Sequence, residues 1–350
     1  MGGYLPGWKR HRVEQMELIY FVTEAMAKIV VVFAVLMGVV AYLTLAERKI
    51  LGRIQVRYGP NRVGPFGLFQ PIADGIKAFF KEDVVPAKAD KPLFVIAPMI
   101  SITAAIALFA VIPFGDKVEF FGRTVYLTIA NLDIGLLYVF AVASLGEYGI
   151  VLGGWSSYNK YGLMGALRAA AQMISYEVAL ALSVMGVLMI AGTLNLVEIV
   201  RQQAGWSWNL FYQPFAFIFY IVCALAEINR TPFDMPEAEA ELACGFNIEY
   251  SSMKFALFFM AEYAHLVAVC AIATTLFLGG WDGPFNLPPA LSWIWFVAKT
   301  GILVYFFIWQ RGTFPRLRYD QIMRFGWKFL LPLTLANIFV TGLIIVLRGM

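Results

Sequence analysis

Histidine and cysteine are scarce in this 350-residue chain. There are two histidines, His11 and His265, and three cysteines, Cys223, Cys244 and Cys270. An iron–sulfur cluster takes about four cysteine ligands, and a haem takes an axial His, Cys or Met. No C-x-x-C pair is present, so neither a zinc site nor a redox disulfide is suggested. Nucleotide loops of the G-x-G-x-x-G or G-x-x-x-x-G-K-[ST] type are missing as well. The chain is therefore expected to bind no metal, flavin or Fe–S cluster, and any electrons it deals with must come from a partner. Charge is also thin: 14% of residues are charged, 60% are hydrophobic, and the mean hydropathy is +0.72.

That composition excludes a set of soluble domains and leaves a polytopic membrane protein. Apolar runs recur near 28–46, 92–114, 133–153, 173–192, 212–228, 253–279, 292–310 and 329–347. Each approaches the ~20 helical residues needed to cross a hydrocarbon core. Continuous rather than alternating runs select helices over a barrel. The expected fold is all-α, about eight transmembrane helices in a single transmembrane domain over 1–350. The first run follows a cationic start, "WKRHRVEQ", but is too long for a signal peptide and reads as a span.

Lysine and arginine set the expected orientation. The loops at 47–91, 154–172, 229–254 and 311–328 hold nine, two, two and five. The intervening loops hold two, one and none. The richer set belongs in the cytoplasm, which puts both termini on the outer side, although Lys9, Arg10 and Arg12 argue the other way.

The first cytoplasmic loop carries a turn cluster, "YGPNRVGPFG", that breaks any helix. After it Phe69, Ile72, Ile76 and Phe80 recur on one face, with Gln70, Asp74, Lys77 and Lys81 opposite. The spacing predicts an amphipathic helix over 66–81 lying at the membrane interface. Such a helix is either a surface anchor or one wall of an opening for a lipid-soluble molecule. Arg48, Arg53, Arg57 and Arg62 gather beside it, as a positive-inside signal facing lipid headgroups or as part of that opening, with Asp74 as a counter-charge.

Carboxylates are the anomaly. Glu147, Glu177, Glu227 and Glu262 fall inside apolar runs, the first three expected close to cytoplasmic ends; ionisable groups there are costly and usually face an internal cavity on an ion or proton route. The acidic loop at 229–252 adds Asp234, Glu237, Glu239, Glu241 and Glu249 against one Arg230 before Lys254 is reached. Asp234, Pro236 and Glu237 look like a helix start, where acids complement the dipole. Glu241 fits that account less well, and Glu239 hardly at all. Carboxylates this close are expected to titrate as a group with some pKa values raised, forming a proton-handling antechamber at the membrane edge. A last basic loop, "RGTFPRLRYDQIMRFGWK", offers either a headgroup contact or a dock for a peripheral protein.

Three segments resemble a known family. They are "TLAERKILGRIQVRYGPNRVGPFGLFQPIADGIKAFFKED", "AEINRTPFDMPEAEAELACGFNIEYSSMKFALFFMAEY" and "RGTFPRLRYDQIM". The chain looks like the quinone-chamber membrane subunit (the H subunit) of respiratory complex I, the proton-pumping NADH:quinone oxidoreductase. The resemblance covers essentially the whole chain. It implies a bacterial inner-membrane component whose partners are other membrane subunits, peripheral-arm Fe–S and quinone-site subunits, quinone and lipid, and no nucleic acid. By motif it implies that Glu47, Arg48, Arg57, Phe69 and Asp74 line or support a quinone tunnel. Glu147, Glu177, Glu227, Asp234, Glu237, Glu239, Glu241 and Glu249 then correspond to an acidic route toward the pump modules. Two alternatives stay open at this point: the scaffold of a related membrane-bound hydrogenase, and a stand-alone ion transporter.

Overall fold

The computed structural model describes residues 7–120, 123–236, 239–285 and 288–348. The helices, in chain order, are α1 (Gly7–Ile54), α2 (Gln70–Phe80), α3 (Lys91–Ala107), α4 (Gly135–Ser156), α5 (Lys160–Ala191), α6 (Leu196–Gln202), α7 (Asn209–Tyr212), α8 (Pro214–Glu227), α9 (Glu239–Leu242), α10 (Ser252–Phe277), α11 (Trp293–Thr313), α12 (Tyr319–Phe325) and α13 (Leu331–Arg348). One hairpin, β1 (Lys117–Phe120) antiparallel to β2 (Arg123–Tyr126), lies between α3 and α4, with Val118 facing Val125 in its register.

Among the described residues seven helical segments are long and apolar enough to cross a membrane: Tyr20–Ile54, Lys91–Ala110, Gly135–Ser156, Lys160–Ala191, Ser252–Phe277, Pro289–Thr313 and Tyr319–Leu347. The remaining apolar run, 212–228, is shorter than a spanning helix because it is broken. Gln213 takes φ −133° and ψ 56°, between α7 and the 14-residue α8. A residue before proline is driven out of the helical region, and Pro214 supplies that push while fitting the first turn of α8. Residues 209–227 together still cover about 28 Å at ~1.5 Å per residue. The break is stabilised inside the protein: Gln213 donates to Thr341 Oγ1 (2.8 Å) and accepts from Asn337 Nδ2 (3.1 Å), both on α13. Irregular backbone at membrane depth needs that kind of internal partner.

The burial pattern separates centre from rim. More than half (56%) of the apolar window of α10 is buried, against 22% for α1 and 17% for the α12–α13 segment. α10 is therefore central, and the outer faces of α1 and α13 are left for lipid or other subunits.

Close helix approach comes from small residues, since apolar side chains gain little by leaving lipid for one another. α3 presents Ala97, Ser101 and Ala104 to Gly146 and Gly149 of α4. A methyl group placed on Gly149 would fall 2.1 Å from Ser101 Oγ and 2.7 Å from the Ala97 carbonyl. Ser101 Oγ donates to the Gly146 carbonyl at 3.1 Å, so the serine also holds the two helices in register.

α5 begins at Lys160, capped by Asn159, whose side chain accepts from the Tyr161 amide. This start lies 13 residues before the apolar run at 173, and it corrects the expected depth of Glu177. The residue sits near the middle of a 32-residue helix rather than near the helix end that was expected. Polarity misplaced the boundary: Arg168 and Gln172 read as loop but are helical, with partners on neighbouring elements.

Overpacking the α3–α4 contact should be costly. Gly149→Val is expected to destabilise by about 1–3 kcal/mol and to lower the thermal midpoint and yield of the assembled complex, read by size-exclusion chromatography after graded heating. Gly301→Ala on α11, with nothing within 4 Å of the added methyl, should leave both unchanged or slightly raised.

Candidate functional site

One arginine organises the interior. Arg230 follows α8 and is only 2% exposed. Its Nε donates to Glu262 Oε1 of α10 at 2.7 Å, and its Nη1 donates to Glu47 Oε2 of α1 at 3.1 Å. The other oxygen of Glu47 accepts from Arg311 Nη1 of α11. The Arg230 guanidinium also lies over the Tyr263 ring, 4.4 Å from its centroid. Burial works against a charge at Arg230, but Glu262 and Glu47 outweigh it and hold its pKa above the ordinary arginine value. Alternating charges Arg311, Glu47, Arg230 and Glu262 thus join three helices and a loop.

The turn that delivers Arg230 is held from α5. Gln172, fully buried, donates from Nε2 to the carbonyls of Ala226 and Phe233, both at 2.7 Å. Tyr176, one helical turn further on, donates to the Ile322 carbonyl of α12 at 2.8 Å. Both bonds satisfy backbone groups that a chain reversal inside the protein would otherwise leave bare.

Beside this ionic chain lies a cavity with about 80 Å³ open to water-sized molecules. Since one water needs about 10–15 Å³ on that measure, the space holds several. Its polar wall is Glu147 of α4, Glu227 at the last residue of α8, and Glu262 and His265 of α10, with Asn229 beside them. Glu262 belongs to both arrangements, so the cavity and the ionic chain are continuous. Glu177 stands one step away: it accepts from Ser144 Oγ of α4 and is close enough to act on Glu147 electrostatically, as Glu227 does.

The acidic loop is arranged differently. Asp234 pairs with Arg316 at 2.8 Å, and Glu241 with Arg168 at 2.5 Å. Glu249 accepts from Asn159 at 2.7 Å. Each of these acids therefore has a partner on another segment of the chain, and the stretch that looked like crowded like charges is stitched to its surroundings. Glu239 opens the short α9, and Glu237 lies outside the described residues. Tyr250, next to Glu249, stacks on Phe94 of α3 with centroids 4.0 Å apart. Burial pushes its phenol up to about 12, against a lowering hydrogen bond from Ser156.

The residues expected around the quinone path divide between two environments. Glu47 is buried in the ionic chain, whereas its neighbour Arg48 reaches outward to Asp74 Oδ2 at 2.6 Å. Asp74 Oδ1 also accepts from Gln70 of α2 at 2.9 Å. The counter-charge of Asp74 is thus Arg48, while Arg57 donates to Gln55 at 2.8 Å on the exposed turn. Within the expected 66–81, the regular helix is Gln70–Phe80, preceded by a tight turn in which Gly64, Phe66 and Gly67 all have positive φ. Phe69 caps α2, and Phe69, Ile72, Ile76 and Phe80 stay exposed along it. Its far end is tied to α10, where Ser252 Oγ donates to the Ala78 carbonyl at 3.0 Å.

Sequence reasoning missed His265, Arg311 and Tyr263 as site residues, and it treated Arg230 only as a lone base among acids. Glu262 and His265 stand three residues apart on α10, a spacing that puts them on one face. That was the available signal.

Among the described residues, seven apolar helices with a buried ionic chain and a carboxylate-lined cavity between them define an all-α polytopic membrane protein. A model of the NADH dehydrogenase family matches residues 27–342. The chain is 54% identical to the first H subunit of the NADH-quinone oxidoreductase of Geobacter sulfurreducens, over 95% of this chain and 98% of that one. It is likewise 54% identical to the second H subunit of the Geobacter metallireducens enzyme, over 94% and 97%. To the second H subunit of the Koribacter versatilis enzyme it is 50% identical, over 94% and 98%. The chain belongs to the NADH dehydrogenase family and is a membrane subunit of respiratory complex I, which sets aside the hydrogenase scaffold and the stand-alone transporter. Its apolar helices and its bacterial relatives fit an inner-membrane protein.

Breaking the ionic chain at its centre should prevent assembly. Arg230→Met leaves Glu262 and one oxygen of Glu47 without their cation, a loss of about 3–5 kcal/mol for a buried pair deprived of one partner. The expected outcome is loss of the complex from native gels of detergent-solubilised membranes, with Arg230→Lys retaining part of it because an ammonium lacks the two-pronged fork.

Proposed function

We propose that this chain guides quinone to its site of reduction and carries the charge or protons of that reaction into the membrane arm. Reducing a quinone to a quinol consumes two electrons and two protons. The electrons come from partner subunits; this chain offers surfaces for the quinone and titratable groups for the protons. The observation that carries the reading is the hydrated-size cavity between Glu147, Glu227, Glu262 and His265, joined at Glu262 to the buried chain of Arg230, Glu47 and Arg311. A carboxylate-walled space at membrane depth is expensive unless titratable groups are wanted there.

In this reading the exposed apolar face of α2 is the threshold. Phe69, Ile72, Ile76 and Phe80 meet the isoprenoid tail, while Arg48 and Asp74 on its polar side meet the headgroup path, with Arg57 on the turn nearby. Deeper in, Glu47 lies between the two arginines and communicates any change of charge near the headgroup to Glu262. From there Glu227, Glu147 and Glu177 step toward neighbouring helices. Asp234, Glu237, Glu239, Glu241 and Glu249 supply the cytoplasmic mouth of the same route. The orientation with both termini outside belongs to this proposal, since it puts the basic loops and the mouth on the cytoplasmic side.

Glutamine keeps the shape and hydrogen bonding of glutamate but cannot titrate. Glu227→Gln should assemble normally on native gels yet lose quinone reduction and pumping together, by roughly a hundredfold if the group transfers protons in the slow step. Inhibitor-sensitive NADH:quinone turnover and proton uptake in sealed vesicles measure both. Parent-like turnover and pumping in Glu227→Gln and Glu177→Gln would reduce these acids to packing.

Entry is tested separately. Ile76→Trp should narrow the opening, so turnover with long-tailed quinones falls several-fold while NADH oxidation with a soluble acceptor and complex yield stay at parent levels. Matched losses in all three would mean that α2 only anchors the fold.

A further inference from the structure

We infer that His265 is the proton-accepting partner of Glu227, the single basic group through which the acidic cavity passes a proton from α8 toward α4. The inference rests on the proton-route reading above and adds to it a residue that neither the family resemblance nor the site expected from sequence contained.

Four observations converge on it. First, position: His265 Nε2 lies 3.5 Å from Glu227 Oε1, with the glutamate buried and the histidine side chain 17% exposed. Second, vacancy: Nε2 is buried and makes no hydrogen bond, so no other group competes with Glu227 for it. Third, composition of the wall: of the cavity-lining residues His265 alone can carry positive charge, facing the three carboxyl groups of Glu147, Glu227 and Glu262. Fourth, the helix end: Glu227 is the last residue of α8, where the peptide dipoles present their negative pole. A carboxylate there meets the wrong end of the dipole, and an imidazolium beside it offsets both.

The charges facing His265 from the surrounding elements are all carboxyl groups. α8 contributes Glu227, α4 contributes Glu147, and α10 itself contributes Glu262. α3 and α5 line the space only with Ser101, Ala105 and Met173. Glu47 of α1 and Arg311 of α11 reach the cavity only through Arg230 and Glu262. Arg230 directs its Nε to Glu262 and its Nη1 to Glu47, and is not part of the cavity wall.

The step balances without any further reactant. A proton leaves the Glu227 carboxyl and joins Nε2, converting acid and imidazole into carboxylate and imidazolium with no change in total charge. The imidazolium then releases a proton, through water in the cavity, to the Glu147 carboxylate and returns to neutral imidazole. Histidine suits the middle of such a relay because an imidazole can both accept and release a proton. At 3.5 Å the first transfer is direct after a small side-chain movement, or crosses one bridging water.

The test uses the whole complex in sealed membrane vesicles. His265→Asn and His265→Gln place an amide near the Nδ1 and Nε2 positions respectively, and neither accepts a proton. Turnover and proton uptake are measured from about pH 5.5 to about pH 8.5, around the histidine range, with soluble-acceptor activity and native gels as controls. The expected result is normal assembly and electron input, turnover and uptake lowered together roughly tenfold or more, and a pH profile that differs in shape from the parent's. Parent-like profiles in both variants would overturn the inference, as would loss of assembly in both, which would make the residue a packing element. Glu227→Gln run alongside separates the two readings. If it is inactive while the His265 variants match the parent, the acidic route stands and the histidine has no part in it. If Glu227→Gln itself matches the parent, the route fails and the inference with it.

Discussion

A guanidinium removed from water is the constraint on which the site depends. An unpaired buried arginine would cost several kcal/mol, so Arg230 is stable only where Glu47 and Glu262 both reach it. That requirement fixes α1, α10 and the turn after α8 relative to one another, and Arg311 draws in α11 through the second oxygen of Glu47. Arginine fits this position because its planar fork directs two donors to two acceptors without rearrangement. The stacked Tyr263 ring covers the face the carboxylates leave open.

In the proposed function, the incompleteness of that neutralisation is what matters. The ionic chain is closed at Glu47, which has two arginines, but at Glu262 it opens onto a space shared with Glu147, Glu227 and His265. A fully paired set of charges would be a rigid strut. A set that ends in a cavity roomy enough for water would, on that proposal, respond when charge changes at either end. The scaffolding supports this division: Gln172 and Tyr176 fasten the backbone around the strut. Tight glycine contacts between α3 and α4 keep the wall carrying Glu147 close to the rest.

Much of this was legible residue by residue. Apolar runs announced the helices, and carboxylates inside them announced a polar interior. The amphipathic period after Phe69 announced α2. Less legible were pairings across long separations. Arg48 and Asp74 stand 26 residues apart, Arg230 and Glu47 183, and Arg311 and Glu47 264. Nothing in local spacing distinguishes Arg311, which reaches a buried carboxylate, from the basic residues that follow it. His265 is silent in the sequence for a similar reason: one histidine in an apolar helix carries no pattern until its neighbours are known.

The sequence by itself determined the membrane class, the helical content and which residue types would be costly in the interior, because those properties are sums over local composition and period. It also carried the family, through segments long enough to be distinctive. Tertiary structure alone decided which acids meet bases and which meet one another. The acidic stretch looked like a reservoir of like charges, yet Asp234, Glu241 and Glu249 are held by Arg316, Arg168 and Asn159 from other segments of the chain. The carboxyl groups that do share a space come from three separate helices. Electrostatic energy falls with distance in space and not along the chain, so only the packing of α4, α8 and α10 makes a site of them.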